Sequence, residues 1–129
     1  MEAKDLALTR INSTATRNAL RRAYVRARRS ATPTGPFDHW ITGWLREPQQ
    51  AAAYLEAALD EGDSGVLLLA LRQVVKAHGG IAAIARRAGL TRESTYRILS
   101  ENGNPELRSL TALLDAAGLR LSVKPVRRV

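Results

Sequence analysis

The chain has no cysteine, a single phenylalanine, a single methionine, and only 12 acidic side chains against 20 basic ones in 129 residues. Without cysteine, neither a disulfide framework nor thiolate chemistry is open to it, which suits a cytoplasmic setting. Long apolar runs are missing too. The longest, Gly65 to Leu71, is far short of the roughly 20 residues that span a bilayer. Reactive constellations are scarce. His39 and His78 stand far apart in sequence, with no carboxylate pair at ligand spacing, so they read as solvated or helix-end side chains rather than metal ligands. Glu56, Asp60, Glu61 and Asp63 cluster where a helix ends and the next is capped. Gly79-Gly80 lacks the preceding strand and following lysine of a phosphate-binding loop. Nothing here assembles an active site, so a non-enzymatic protein without metal or cofactor is expected.

What is present is positive charge, unevenly placed. The formal net charge is +8. Residues 1–36 carry eight Lys or Arg against Glu2 and Asp5, whereas residues 37–129 carry twelve against ten. The excess therefore belongs mainly to an N-terminal arm, and such an arm points to a polyanion, an anionic surface or an acidic partner. Thr14 to Ser30 can form a basic helix, with Ala19, Leu20, Ala23, Tyr24 and Ala27 as a stripe among Arg17, Arg21, Arg22, Arg26, Arg28 and Arg29. That stripe buries little and suits a segment that folds on a partner. It is too poor for membrane insertion, so no membrane partner is expected. Glu2 and Asp5 count against a transit peptide. Ala31 to Pro36 reads as a linker, which separates an arm (1–36) from a folded domain (37–129).

The domain reads as all-α. Trp40, Ile41, Trp44 and Leu45 give Phe37–Leu45 one apolar face. Pro48 opens a helix at its first turn, with Ala51, Ala52, Tyr54, Leu55, Ala58 and Leu59 as its apolar face, and Asp60-Glu61-Gly62 ends it. Asp63 or Ser64 caps Val66–His78, which is apolar on nearly every side and reads as the central helix. Asn102-Gly103 marks a turn, and Asn104-Pro105 supplies an N-cap and proline for a last helix lined by Leu107, Leu110, Leu113 and Leu114. Gly118 closes it. Leu119, Leu121 and Val123 then alternate with Arg120, Ser122 and Lys124, the pattern of a short C-terminal strand. A lone strand needs a partner edge, so it points to pairing between two protomers, as a homodimer, or with another protein.

The stretch around which the domain is organised is Ile81 to Ser100, with four Arg against one Glu. Ile81, Ile84, Ala85 and Ala88 recur at helical spacing, and Gly89 follows where a helix end needs positive φ. Thr91 is the expected N-cap of a second helix, whose Ile98 and Leu99 turn inward. Leu90 sits beneath the turn, in a core with Leu71, Ile84 and Ile98. Two such short helices cannot stand alone, and their spacing predicts a helix-turn-helix. The expected DNA-facing set is Arg86, Arg87, Thr91, Arg92, Glu93, Tyr96, Arg97 and Ser100. Arginine grips guanine edges or phosphates, while Thr, Ser and Tyr donate to phosphate oxygens.

Four segments carry a resemblance. They are FDHWITGWLREPQQAAAYLEAALDEGD at Phe37–Asp63, LALRQVVKAHGG at Leu69–Gly80, GLTRESTYRILSENGNPELRSL at Gly89–Leu110 and LLDAAGLRLSVKP at Leu113–Pro125. On these, residues 37–125 resemble the addiction-module antidote proteins, a branch of the phage-repressor-like (Xre-type) helix-turn-helix regulators. The resemblance implies a bundle of about five helices. It also implies an antitoxin of a type II toxin–antitoxin module, which binds double-stranded operator DNA, represses its own operon and neutralises a cognate small toxin. Thr95 departs from the larger apolar residue expected there, which would loosen the second helix. Two other functions fit the residues: a stand-alone transcriptional regulator, and a protein-binding module that keeps the helix pair as scaffold. DNA affinity that collapses with salt separates the last from the others.

Overall fold

A computed structural model describes residues 36–126. The basic arm, most of its linker and the last three residues lie outside that range. Among the described residues the chain is all-α, with six helices: α1 (Pro36–Trp44), α2 (Pro48–Asp60), α3 (Ser64–Ala77), α4 (Gly80–Ala88), α5 (Arg92–Ile98) and α6 (Leu107–Ala116). No single one of them is long and apolar enough to cross a membrane.

The architecture centres on α3. Its Val66, Leu68, Ala70, Leu71, Val74 and Val75 are all buried, as expected of a helix apolar on nearly every side. α1 and α2 pack on one part of it and α4 on another, and α4 in turn carries α5 and α6. The Asp63 carboxylate caps α3 by accepting from Gly65 N at 2.8 Å, which satisfies one of the free donors of the first turn. The axis bends by 95° between α3 and α4. His78, at the end of α3, places Nε2 2.9 Å from the Leu45 carbonyl, which ties that corner to the end of α1. Tyr54 Oη donates to Gln73 Oε1 at 2.6 Å, so two buried polar side chains between α2 and α3 satisfy one another.

Several expectations are corrected by packing. On α1, Ile41 and Leu45 are fully buried, but Trp40 is 52% exposed and stacks on half-buried Trp44 with ring centroids 5.8 Å apart. Trp44 therefore packs against the core, while Trp40 stacks on it from outside. The Phe37 side chain lies outside what the structure describes. On α2, Ala52 and Leu59 are exposed, and Gln50, Ala53 and Ala57 are buried in addition to Ala51, Tyr54, Leu55 and Ala58. The inward face of α2 is thus rotated from the expected one.

The last helix starts two residues later than Pro105 would have it. Glu106 is extended, with φ −67° and ψ 154°, and its carbonyl accepts from Leu110 N at 2.9 Å, so Glu106 and not Asn104 occupies the cap position. Leu107 is consequently exposed, while Leu113 and Leu114 are buried. Beyond Gly118, residues 119–126 form no strand. A strand needs a neighbouring edge for its N–H and C=O groups, and a chain folded into helices offers none.

Candidate nucleic-acid interface

The α4–α5 pair is built by local chemistry. Gly89 ends α4 in the left-handed region, at φ +72°, where a side chain would be strained. Leu90 N then bonds Ala85 O at 2.9 Å, closing the helix end, and the Leu90 side chain packs half-buried against the core. Thr91 is extended and its Oγ1 accepts from Ser94 N at 3.0 Å, the expected N-cap of α5. From that point the chain turns back across α4.

The inner side of α5 is held from several directions. Leu99 is 1% exposed and Thr95 is 0% exposed. Thr95 Oγ1 donates to the Thr91 carbonyl at 2.8 Å, so the buried hydroxyl is satisfied. The Arg72 guanidinium of α3 donates to the Leu99 carbonyl at the C-terminal end of α5. Ser100 Oγ donates to the Arg97 carbonyl at 2.7 Å, and Gly103 N to the Ser100 carbonyl at 2.9 Å. Gly103 passes so close to α5 that a Cβ placed on it would lie 2.0 Å from the Ile98 carbonyl oxygen.

With its back fixed, α5 presents the other side outward. Arg92, Glu93, Tyr96, Arg97 and Ser100 are all exposed. At 100° per residue Arg92, Glu93, Tyr96 and Arg97 fall within an arc of about 140°, and Ser100 follows just past the end of the helix. Thr91 and Arg86 are exposed as well. Arg87 is exposed but occupied: its Nη1 donates to the His78 carbonyl at 3.1 Å and to the Ala116 carbonyl at 3.3 Å. It clamps the ends of α3 and α6 to α4. Of the eight residues expected to face DNA, four thus share one face of α5, Ser100 follows just past its end, Thr91 caps that helix, and Arg86 and Arg87 belong to the last turn of α4. Sequence reasoning missed Arg72, and it assigned Gly103 to a turn without seeing the close approach. The acceptor of Arg72 lies 27 residues away, a separation that no local pattern registers.

Electrostatics divide the domain. Residues 36–126 hold ten basic and ten acidic side chains, yet residues 47–63 contain five acids and no base. Residues 64–100 contain Arg72, Lys76, Arg86, Arg87, Arg92 and Arg97 against Glu93 alone. The positive charge of the folded part is thus concentrated in the stretch from α3 to α5. Among the described residues no group of three or more His, Asp or Glu side chains gathers as a metal would require.

Comparison with known proteins gives two matches. A family model described as probable addiction module antidote protein matches residues 34–125. A protein of Haemophilus influenzae (strain ATCC 51907 / DSM 11121 / KW20 / Rd), described as an uncharacterized protein, is 31% identical over 90 residues, covering 70% of this chain and 92% of that protein. No solved structure matches.

Proposed function

Since the chain belongs to the family of probable addiction module antidote proteins, we propose that it is an antitoxin that binds operator DNA through α4 and α5, represses its own operon and neutralises a toxin. An antidote implies a toxin partner in general terms. The DNA-binding part of the reading rests on one observation: a short helix capped at Thr91, with Thr95 and Leu99 buried behind it, exposes Arg92, Glu93, Tyr96 and Arg97 on one side, with Ser100 exposed just past its end. That face has the size and chemistry to enter a major groove. Its two arginines match guanine edges, and its hydroxyls match phosphate oxygens. Arg86 extends the positive surface, while Arg87 stiffens the frame behind it.

The test is binding of the full chain to the DNA immediately upstream of its own reading frame, measured by fluorescence anisotropy over a salt series. Repressor action predicts tight binding to this fragment over a scrambled one. It also predicts that log K falls linearly with log salt as phosphate contacts release counterions. Equal and weak binding to both fragments would favour the helix pair as a scaffold for protein contacts and would overturn the DNA reading.

A further inference from the structure

Among the described helices α2 packs chiefly on one neighbour, α3. Its buried side chains, from Ala53 round to Leu55, fill about 200° of its circumference. Ala52, Glu56, Leu59 and Asp60 lie in the remainder, within an arc of about 100°. This outer face has two rows. Ala52 and Leu59 make an apolar one, and Leu59 is 54% exposed. Glu56 and Asp60, one turn apart, make an acidic row beside it. From Glu47 to Asp63 the chain has five acids and no base. One cation that reaches the acidic row comes from the far end of the chain: Lys124 Nζ lies 2.8 Å from Glu56 Oε1.

We propose that this face is the dock of the chain's own basic arm, which lies on it as a helix over Thr14–Ser30. The two surfaces match in chemistry. Leu20 and Tyr24 are the largest members of the arm's apolar stripe. At helical spacing Arg17, Arg21 and Arg28 flank that stripe on one side, and Arg22, Arg26 and Arg29 on the other. Seating Leu20 and Tyr24 on Ala52 and Leu59 sets one arginine row along Glu56 and Asp60 and leaves the other in solvent. A carboxylate accepts more than one donor, so Glu56 can hold an arginine and Lys124 together. Length permits the arrangement as well. A helix over Thr14–Ser30 is about 26 Å long, against about 20 Å for α2. Residues 31–35 span about 17 Å when extended, and three residues separate α1 from α2. Such a short tether holds the arm near α2 at an effective concentration of about millimolar, so a contact of modest affinity is enough. The outer arginine row stays open to phosphates, so the docking stands apart from the DNA reading and can be tested without DNA.

The test uses the full chain, whose lack of cysteine lets one introduced thiol carry a nitroxide spin label. Asn18 falls opposite the apolar stripe, so Asn18→Cys puts the label on the outer side of the docked arm. In amide NMR spectra of the isotope-labelled chain, the label broadens the signals of Ala52, Glu56, Leu59 and Asp60 more than those of Tyr96 and Arg97. That preference is lost when Glu56→Lys and Asp60→Lys are combined, with the helical circular dichroism unchanged. Leu20→Lys, which alters the arm and leaves the folded domain untouched, abolishes it too. No broadening appears when the nitroxide sits on a second chain mixed with the isotope-labelled one, because the contact is made within one chain. Equal broadening of α2 and α5, a preference that survives both sets of substitutions, or broadening carried from one chain to another would each overturn the proposal.

Discussion

Replacing Gly103 by alanine adds one methyl group, and the structure gives it nowhere to go. The new Cβ would fall 2.0 Å from the Ile98 carbonyl oxygen, 2.7 Å from its carbon and 3.0 Å from the Arg97 carbonyl oxygen. All three neighbours are backbone at the end of α5, so no side-chain rotation relieves the clash. Relief requires the 100–103 turn to move away from α5 by about 1 Å or more, since overpacking is relieved only by displacing backbone. Such a shift strains the bond from Gly103 N to the Ser100 carbonyl and pulls at the Leu99 carbonyl held by Arg72. One neutral hydrogen bond is worth about 1 kcal/mol and one to a charged group about 1.5–3 kcal/mol. The expected loss is therefore about 2–4 kcal/mol, or roughly 10–30 °C in Tm for a domain of this size. Thermal melting of the full chain by circular dichroism reads it directly. The neighbouring exposed change Asn102→Ala serves as control, expected within about 0.5 kcal/mol of wild type. A Gly103→Ala variant that melts with the wild type would show that the turn does not approach α5 as described.

Other substitutions separate the buried from the half-buried parts of the same region. Leu99→Ala should cost about 2–5 kcal/mol in urea denaturation, and Leu90→Ala clearly less, because Leu90 is only half-buried; the reverse order would contradict the packing. Thr95→Val should change stability by less than about 1 kcal/mol, since it removes a satisfied hydroxyl and leaves the Thr91 carbonyl bonded to Thr95 N. A large loss on Thr95→Val would mean that the hydroxyl has a further role. Deleting residues 1–35 removes a surplus of basic charge and should weaken binding to every DNA sequence while flattening the dependence of log K on log salt. An unchanged slope would release the arm from that role.

Much of the fold was legible because helix ends are written locally. Thr91, Asp63, Pro48 and Gly89 each mark a boundary through their own backbone or side chain, and the structure places each boundary there. The outer face of α5 was legible for a related reason. In a helix of two turns, the positions of Ile98 and Leu99 determine which residues are left to face outward. What could not be read depends on contacts between distant segments. Trp40 and Leu59 have the chemistry of core residues, and only the packing of α1 and α2 on α3 leaves them outside. Arg87 looked like one more exposed cation. Its carbonyl partners come from the ends of α3 and α6, and one of them lies 29 residues away. Pro105 carried the usual sign of a helix start, but Glu106 took the cap. The antidote family was visible through resemblance, which spacing and composition alone would not have supplied.

The claim that α5 contacts DNA is tested most directly by comparing Arg92→Ala and Arg97→Ala with the wild type on the chain's own upstream DNA, at one fixed salt concentration. Both side chains are exposed, so each variant should melt with the wild type. Each should nonetheless lose about 1–3 kcal/mol of binding, roughly a 5- to 150-fold rise in Kd. Unchanged affinity in both variants, with the fold intact, would contradict the assignment of this face to DNA.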